Sequence, residues 1–411
     1  MSIAGTSVAA GAGTPQASRL AALVLTLILA VAVVLPPVVG TRYWLTLGMQ
    51  VWVLAAYAYS YQLLFGRAGM LSFGHAVYFG LGAFAAAHAM NSPWLRAIGW
   101  PVELAPFAGA AAGFAAAVVF GYPSTRRAAT PFAMVTLGIG ELVAACFLMF
   151  PSFFGGEMGV NTDRASLKGL LVASYARPAT LYPLLLVWAA LLIGAALWVA
   201  RTPLGLLARS VRDNAERLGF LGFEPATVRF KVMLIAGPLA GAAGALSAML
   251  YEIVSVEAVS LQTSANVLLM TVVGGAASSV GPLVGALVLT LMQTSLSKLT
   301  HAWVFYYGML FILVVLFAPN GLTGAVQSAI ANLRKAGAMA FLKAFGPSIL
   351  AGTAAVLSGI AATEILFFRP EGPATTPPLP VAFAFVAAIG VIASCAFLLR
   401  EHAKRSRGRR A

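Results

Sequence analysis

Ten stretches of this chain are apolar for about twenty residues at a time, the length that crosses the hydrocarbon of a bilayer. They lie at about 20–39, 44–65, 73–90, 104–121, 131–150, 181–200, 231–251, 302–318, 345–367 and 381–399. In lipid every backbone amide and carbonyl must be paired within the protein, and a run of this length meets that demand as a helix. The fold class expected is an all-α polytopic membrane protein. Charge agrees: 9% of the 411 residues are charged and 60% are apolar, against roughly 25% charged in a soluble domain. A soluble enzyme, a disordered chain and a fibrous repeat are excluded, because so few charges cannot cover a water-soluble surface.

One apolar stretch, 264–296, is interrupted by Gly274-Gly275-Ala276-Ala277-Ser278-Ser279-Val280-Gly281-Pro282. Two glycines, two serines and Gly-Pro break a helix, and irregular backbone at membrane depth is tolerated only inside protein or beside a water-filled cavity. A re-entrant pair of half-helices is expected there, entering and leaving on one side. One kinked span is the alternative.

Lys and Arg set the orientation. With the N-terminus inside, the inner segments hold 19 of them and the outer segments hold 7. Both termini are therefore expected in the cytoplasm. The net charge of +14 then reflects loop bias and not nucleic-acid binding. Cys146 and Cys395 lie in apolar runs without metal-ligand spacing.

Two loops stand out. The outer loop 151–180 opens with Phe153-Phe154-Gly155-Gly156-Glu157-Met158-Gly159. The inner loop 201–230 is the longest polar stretch. Within it Leu207, Val211, Ala215 and Leu218 recur at helical spacing, with Arg209, Arg212, Asp213 and Glu216 on other faces. Pro203 suits the start of a helix and Gly219 its stop. An amphipathic helix is expected. From residues alone it either lies on the lipid surface or is held for a protein partner.

Five motifs in order carry a resemblance. They are Gly66-Arg67-Ala68-Gly69-Met70-Leu71-Ser72-Phe73-Gly74-His75-Ala76; Phe132-Ala133-Met134-Val135-Thr136-Leu137-Gly138-Ile139-Gly140-Glu141; the helix Arg209–Gly219 followed by Leu239–Leu246; Gly274 to Ala286; and Leu316-Phe317-Ala318-Pro319-Asn320-Gly321-Leu322. Over about 44–325 the chain resembles permease subunits of branched-chain amino acid ABC importers of the LivM/LivH type, and LivM more closely. Met70 stands where that family has Gln, and Phe84 where it has Tyr.

The resemblance implies an importer in the cell inner membrane. Its other parts would be a second permease of LivH type, two cytoplasmic ATP-binding subunits and an extracytoplasmic solute-binding protein. It implies ATP and Mg in those ATPases and no cofactor in this chain. The residues agree, since no G-x-x-x-x-G-K-[ST] phosphate cradle and no ordered catalytic set occurs. Under this resemblance the inner helix becomes the ATPase-coupling element, with Leu207, Arg209, Val211, Arg212, Asp213, Ala215, Leu218 and Gly219 as its residues.

A translocation path is expected along Ser72, Gly74, His75, Glu141, Gly274, Gly275, Ser278 and Ser279. His75 reads equally as a buried structural histidine. The serines read more readily as partners for freed backbone, and Glu141, near mid-membrane, as a hydrogen-bonded structural group. Gly237, Gly241 and Gly244 have the small-residue spacing of close helix packing.

The expected organisation is a cytoplasmic segment 1–19, a permease domain 20–325 and an amphipathic link 326–344. An extra pair of crossings over 345–399 and a basic, lipid-facing tail 400–411 follow, both outside the resemblance. An ion-coupled secondary transporter is the competing function. It usually needs intramembrane acids, and Glu141 and Glu364 are those within the expected spans.

Overall fold

Proline marks where many of the helices begin. Its fixed φ suits the first helical position, where its missing N–H would have had no partner. In the computed structural model, which describes residue 37 and residues 41–327 except 165, 166, 168, 173, 296, 298–302 and 319, the order is as follows. Helix α1 spans Arg42–Gln62 and ends in a π-helical turn, Leu63–Arg67. Then come α2 (Ala76–Asn91), α3 (Pro93–Ile98), α4 (Ala105–Thr125), α5 (Thr130–Met149) and α6 (Pro151–Phe154). Strand β1 (Val160–Asn161) leads to α7 (Pro178–Val199), α8 (Pro203–Phe220) and α9 (Pro225–Tyr251). Strand β2 (Ile253–Val254), α10 (Leu261–Gly274), α11 (Gly281–Ser295) and α12 (Trp303–Phe317) complete it.

The chain divides into two compact units, one made of 1–25, 292–312 and 325–411, the other of 26–291 with 313–324. Of the first unit, the described part includes the start of α12. The second holds α1 to α10, α11 as far as residue 291 and the end of α12.

Its centre is α9. That helix is the most buried of the long apolar ones, and it packs chiefly on α4, α2 and α1. The packing is backbone to backbone. A Cβ on Gly241 would collide with the carbonyl of Gly109, one on Gly82 with Gly241, and one on Gly244 with the carbonyl of Phe79. Small residues let helices approach where lipid supplies no hydrophobic drive for association. The glycines at 237, 241 and 244 thus pack helices together.

Among the described residues four helices are long and apolar enough to cross a membrane: Val102–Thr125, Thr130–Met149, Pro178–Val199 and Pro225–Tyr251. There are five if Trp303–Leu316 and Gly321–Gln327, bent by 51°, count as one. These match the expected spans at 104–121, 131–150, 181–200, 231–251 and 302–318. The span expected at 44–65 is α1 with most of its π turn. The one expected at 73–90 is shorter, a helix of 16 residues starting at Ala76, because the glycine-bearing segment before it is not helical. The crossings at 20–39, 345–367 and 381–399, and the basic tail, lie outside the described residues apart from residue 37.

The interrupted segment folds back on itself. A Cβ on Gly285 would collide with the carbonyl of Met270, and one on Gly274 with that of Gly281. Residues 270 and 285 are therefore neighbours, whereas one continuous helix would separate them by about 22 Å. A kinked span is not what forms. Helices α10 and α11, of 14 and 15 residues, are the arms of a hairpin with its turn at 275–280.

Strands β1 and β2 pair antiparallel, Val160 with Val254 and Asn161 with Ile253. This small ladder, absent from the all-helical expectation, ties the 151–180 loop to the end of α9. Arg164 reinforces it. Its Nε donates to Tyr175 O at 3.1 Å, and its Nη1 donates to the carbonyls of Met249 and, at 3.2 Å, Leu250. A buried guanidinium thus takes carbonyls that the end of a helix leaves unpaired. Glu103 holds the same loop: its Oε1 accepts from the amides of Leu170 and Leu171 at 2.7 and 3.0 Å and from Tyr175 Oη at 2.7 Å. Burial, then that carboxylate, pushes the Tyr175 phenol up to about 12, so it remains a donor.

Candidate functional site

The motif Gly66–Ala76 runs from the π turn at the end of α1 to the first residue of α2, and its residues 69–75 form a non-helical bridge between them. Three of its backbone groups are met by side chains from three different elements. Tyr61 Oη donates to Ser72 O at 3.1 Å, and Phe73 N donates to Thr136 Oγ1 at 3.2 Å. Ala76 N donates to Ser264 Oγ at 3.0 Å. Thr136 belongs to the second sequence motif and Ser264 to α10, so the bridge fastens three helices at once. Gly74 has no room for a side chain, since a Cβ would collide with the Thr136 carbonyl.

His75 is fully buried. Its Nε2 lies 2.9 Å from Ser60 Oγ. The ring stacks on Tyr57 with centroids 5.5 Å apart and meets Tyr61 edge-on at 5.2 Å. Ser72 is equally buried. Ser72 Oγ, His75 Nδ1 and Tyr57 Oη are buried without a hydrogen-bond partner among the described residues.

The 275–280 turn sits against the end of α1. Gln62 Nε2 donates to Ala276 O at 3.0 Å and to Ser278 O at 2.6 Å. Tyr59 Oη donates to Ser279 O at 2.7 Å. Thr323 Oγ1 donates to Gly274 O at 2.7 Å, and Gly275, with φ 113°, would have its Cβ 2.6 Å from Asn320 O. The turn is held by its carbonyls, and the Ser278 and Ser279 backbone takes part.

Helix α8 starts at Pro203 as expected but is not one straight helix. Asn214 is extended (φ −160°, ψ 98°), and its Oδ1 accepts from Arg217 N at 2.9 Å. That bond caps a new helical turn, so the element is two helices meeting at Asn214. It also runs past Gly219. The chain turns at Gly222, with φ 84°, and Phe223 N donates to Leu218 O at 3.3 Å.

The apolar side of α8 is used within this chain. Val211 and Leu218 are buried with Val228 of α9, and Leu204, Leu207 and Ala215 pack on them. Among what α8 leaves outward are Leu206, Asp213, Glu216, Arg217, Gly219 and Phe220, followed by Leu221 and Phe223. Arg212 turns back toward the chain, where its Nη1 donates to Gly66 O at 2.6 Å while Nε pairs with Asp213 at 3.0 Å. Arg67 and Arg209 lie close by. Burial first, then the charges of Arg209 and Arg212, lower the pKa of Arg67.

Seven of the eight expected path residues are gathered about the end of α1, in two groups. Ser72, Gly74 and His75 lie in the bridge, and Gly274, Gly275, Ser278 and Ser279 lie at the hairpin turn. Glu141 is apart from both. It lies with Gly138 and Leu142 on the face of α5 that this chain leaves uncovered. Its neighbour Gly140 faces Gly74 instead.

Residues that sequence reasoning missed are Ser60, Tyr59, Tyr61, Gln62, Thr136 and Ser264, the partners that hold the bridge and the turn. The available signal was the run Tyr57-Ala58-Tyr59-Ser60-Tyr61-Gln62, five polar groups inside an apolar span.

Residues 40–319 match the family described as branched-chain amino acid transport system / permease component. The chain belongs to this family. It is a permease component and a multi-pass membrane protein. Relatives include the high-affinity branched-chain amino acid transport system permease protein LivM of Escherichia coli and that of Salmonella typhimurium. Each is 27% identical over 278 residues, covering 62% of this chain and 64% of the relative. The chain thus spans less than two thirds of the length of these curated relatives. No solved structure matches it.

Proposed function

We propose that this chain is the transmembrane permease subunit of an ATP-driven importer that moves branched-chain amino acids, or a related small amino acid or amide, across the inner membrane by alternating access. One observation carries the reading beyond the family match. Helix α8, which the count of basic residues would put on the inner face, is a built element packed on α9 through Val211 and Leu218, with its Phe220 end exposed. The sequence has no phosphate cradle of its own, so energy arrives through such an element from ATP and Mg bound by partner subunits.

The partners would be a second permease of LivH type, two cytoplasmic ATP-binding subunits and a solute-binding protein on the outer face. Both termini would be cytoplasmic. The α10–α11 hairpin would enter and leave from the outer side, which leaves the count of basic residues per face unchanged. Ser72 and His75, fully buried, would shape the wall of the path without touching solute.

The test is uptake by the reconstituted complex in proteoliposomes. Leucine entry should require ATP and the binding protein and should ignore dissipation of ion gradients. Entry without ATP that collapses with the proton or sodium gradient would instead establish the secondary transporter. In the same vesicles Leu171→Cys should label from the outer face and Asp213→Cys should not. Labelling of both from outside would end the topology.

A further inference from the structure

The sequence Gly66-Arg67-Ala68-Gly69 is shaped around two visitors. The π-helical turn shifts the hydrogen-bond ladder at the end of α1. The Leu63 carbonyl accepts from the Ala68 amide, the Phe65 carbonyl from Gly69 and the Leu64 carbonyl from Met70. The next carbonyl, of Gly66, is taken by Arg212 of α8. Gly69, with φ 68°, makes room for that arginine, because a Cβ there would lie 2.6 Å from Arg212 Cγ. Gly66 makes room for the second visitor, because a Cβ on it would collide with the Ala276 carbonyl. One helical turn earlier, Gln62 donates to that same Ala276 carbonyl and to Ser278.

We propose that Arg212 is a positioning residue that ties the inner helix α8 to the hairpin turn 275–280, through the Gly66 carbonyl and the Gln62 amide. The proposal rests on the reading of α8 as the element that meets the ATPases. It gives Arg212 a role other than touching them. The guanidinium grips its own chain by a charge-assisted hydrogen bond, the stronger kind. Its pairing with Asp213 is between exposed groups and adds little. Beyond Gly66 the contacts are short and contiguous. The end of α1 bears directly on Ala276, and the turn is held by side chains donating to its carbonyls. A shift of α8 that carries Arg212 therefore carries the end of α1 and re-aims the turn. Leu207 and Val211 keep α8 on α9 while this happens.

The experiment uses the whole importer in lipid nanodiscs: this chain, its partner permease, both ATPases and the binding protein. With Cys146→Ser and Cys395→Ser as background, Ala277→Cys on the turn reports its accessibility to a water-soluble maleimide, with and without ATP and vanadate. In the parent the labelling rate should change with ATP. Arg212→Met should shrink that change roughly ten-fold, the loss expected for one charge-assisted hydrogen bond, while the ATPases still co-purify. Arg212→Lys should restore part of it. Gln62→Leu should give the same loss, and the double variant should be no worse than either single one, because the two bonds act in series.

An ATP response that survives Arg212→Met overturns the proposal, as do losses that multiply in the double variant. Loss of the ATPases from the Arg212→Met complex would make Arg212 a docking residue and overturns it too. A parent that takes up solute with ATP in proteoliposomes but shows no change at Ala277→Cys in nanodiscs overturns the linkage and leaves the importer standing. A parent without ATP-driven uptake removes both.

Discussion

Ser60 Oγ lies 2.9 Å from His75 Nε2 in a site that excludes solvent from both residues. This contact joins α1 to the non-helical bridge before α2, and it makes His75 a member of a tyrosine-lined core. Ser60→Ala would leave a buried ring nitrogen unpaired, at about 1–3 kcal/mol. Thermal unfolding of the solubilised protein should show that loss, with lower abundance in membranes. Uptake per molecule should hold under the proposed role, in which the pair sets the bridge; a drop in uptake at unchanged abundance would put it on the path.

Gly241 and Gly138 make opposite demands. Gly241 meets Gly109 and Gly113 through bare backbone, whereas a Cβ on Gly138 meets nothing within 4 Å. Gly241→Leu should push α9 off α4 and cost about 3 kcal/mol or more, as overpacking of a tight core does. Gly138→Ala should be neutral or gain a few tenths, through helix propensity. Membrane abundance of the two variants checks both.

Arg164 and Glu252 form an ion pair of 3.3 Å in which the arginine is buried and the glutamate is 41% exposed. Removing each partner should not weigh the same. Arg164→Met strips the last carbonyls of α9 of their donor and should cost about 2 kcal/mol or more. Glu252→Gln loses a solvent-screened pairing of about 0–1 kcal/mol. Limited proteolysis of the 151–177 loop should therefore quicken in the first variant and barely change in the second.

Val211→Asp and Phe220→Asp separate the two sides of α8. Val211 is buried with Leu218 and Val228, so a charge there should lower abundance. Phe220 is 85% exposed. Phe220→Asp should leave abundance unchanged and weaken co-purification of the ATPases. If Phe220→Asp retains both the ATPases and uptake, the exposed end of α8 is not where they meet.

The sequence alone determined the class of fold and the positions of most long helices, because a bilayer leaves an apolar run of twenty residues few choices other than a helix. It determined that the chain breaks between Gly274 and Pro282, since the residues there cannot continue a helix. Its motifs, in order, identified the family. Which surface each helix offers to which neighbour was decided by tertiary structure. The spacing of Leu207, Val211, Ala215 and Leu218 showed an apolar face, but only the fold turned that face onto Val228 and broke the helix at Asn214. A charge at position 141 was legible. Its place away from the bridge was not, because periodicity fixes angles around one helix axis and carries no information on the helix across from it. The meeting of Arg212, Gly66 and Ala276 brings together residues separated by 146 and 210 positions. Each glycine's small size was in the sequence, and what needed the space was not.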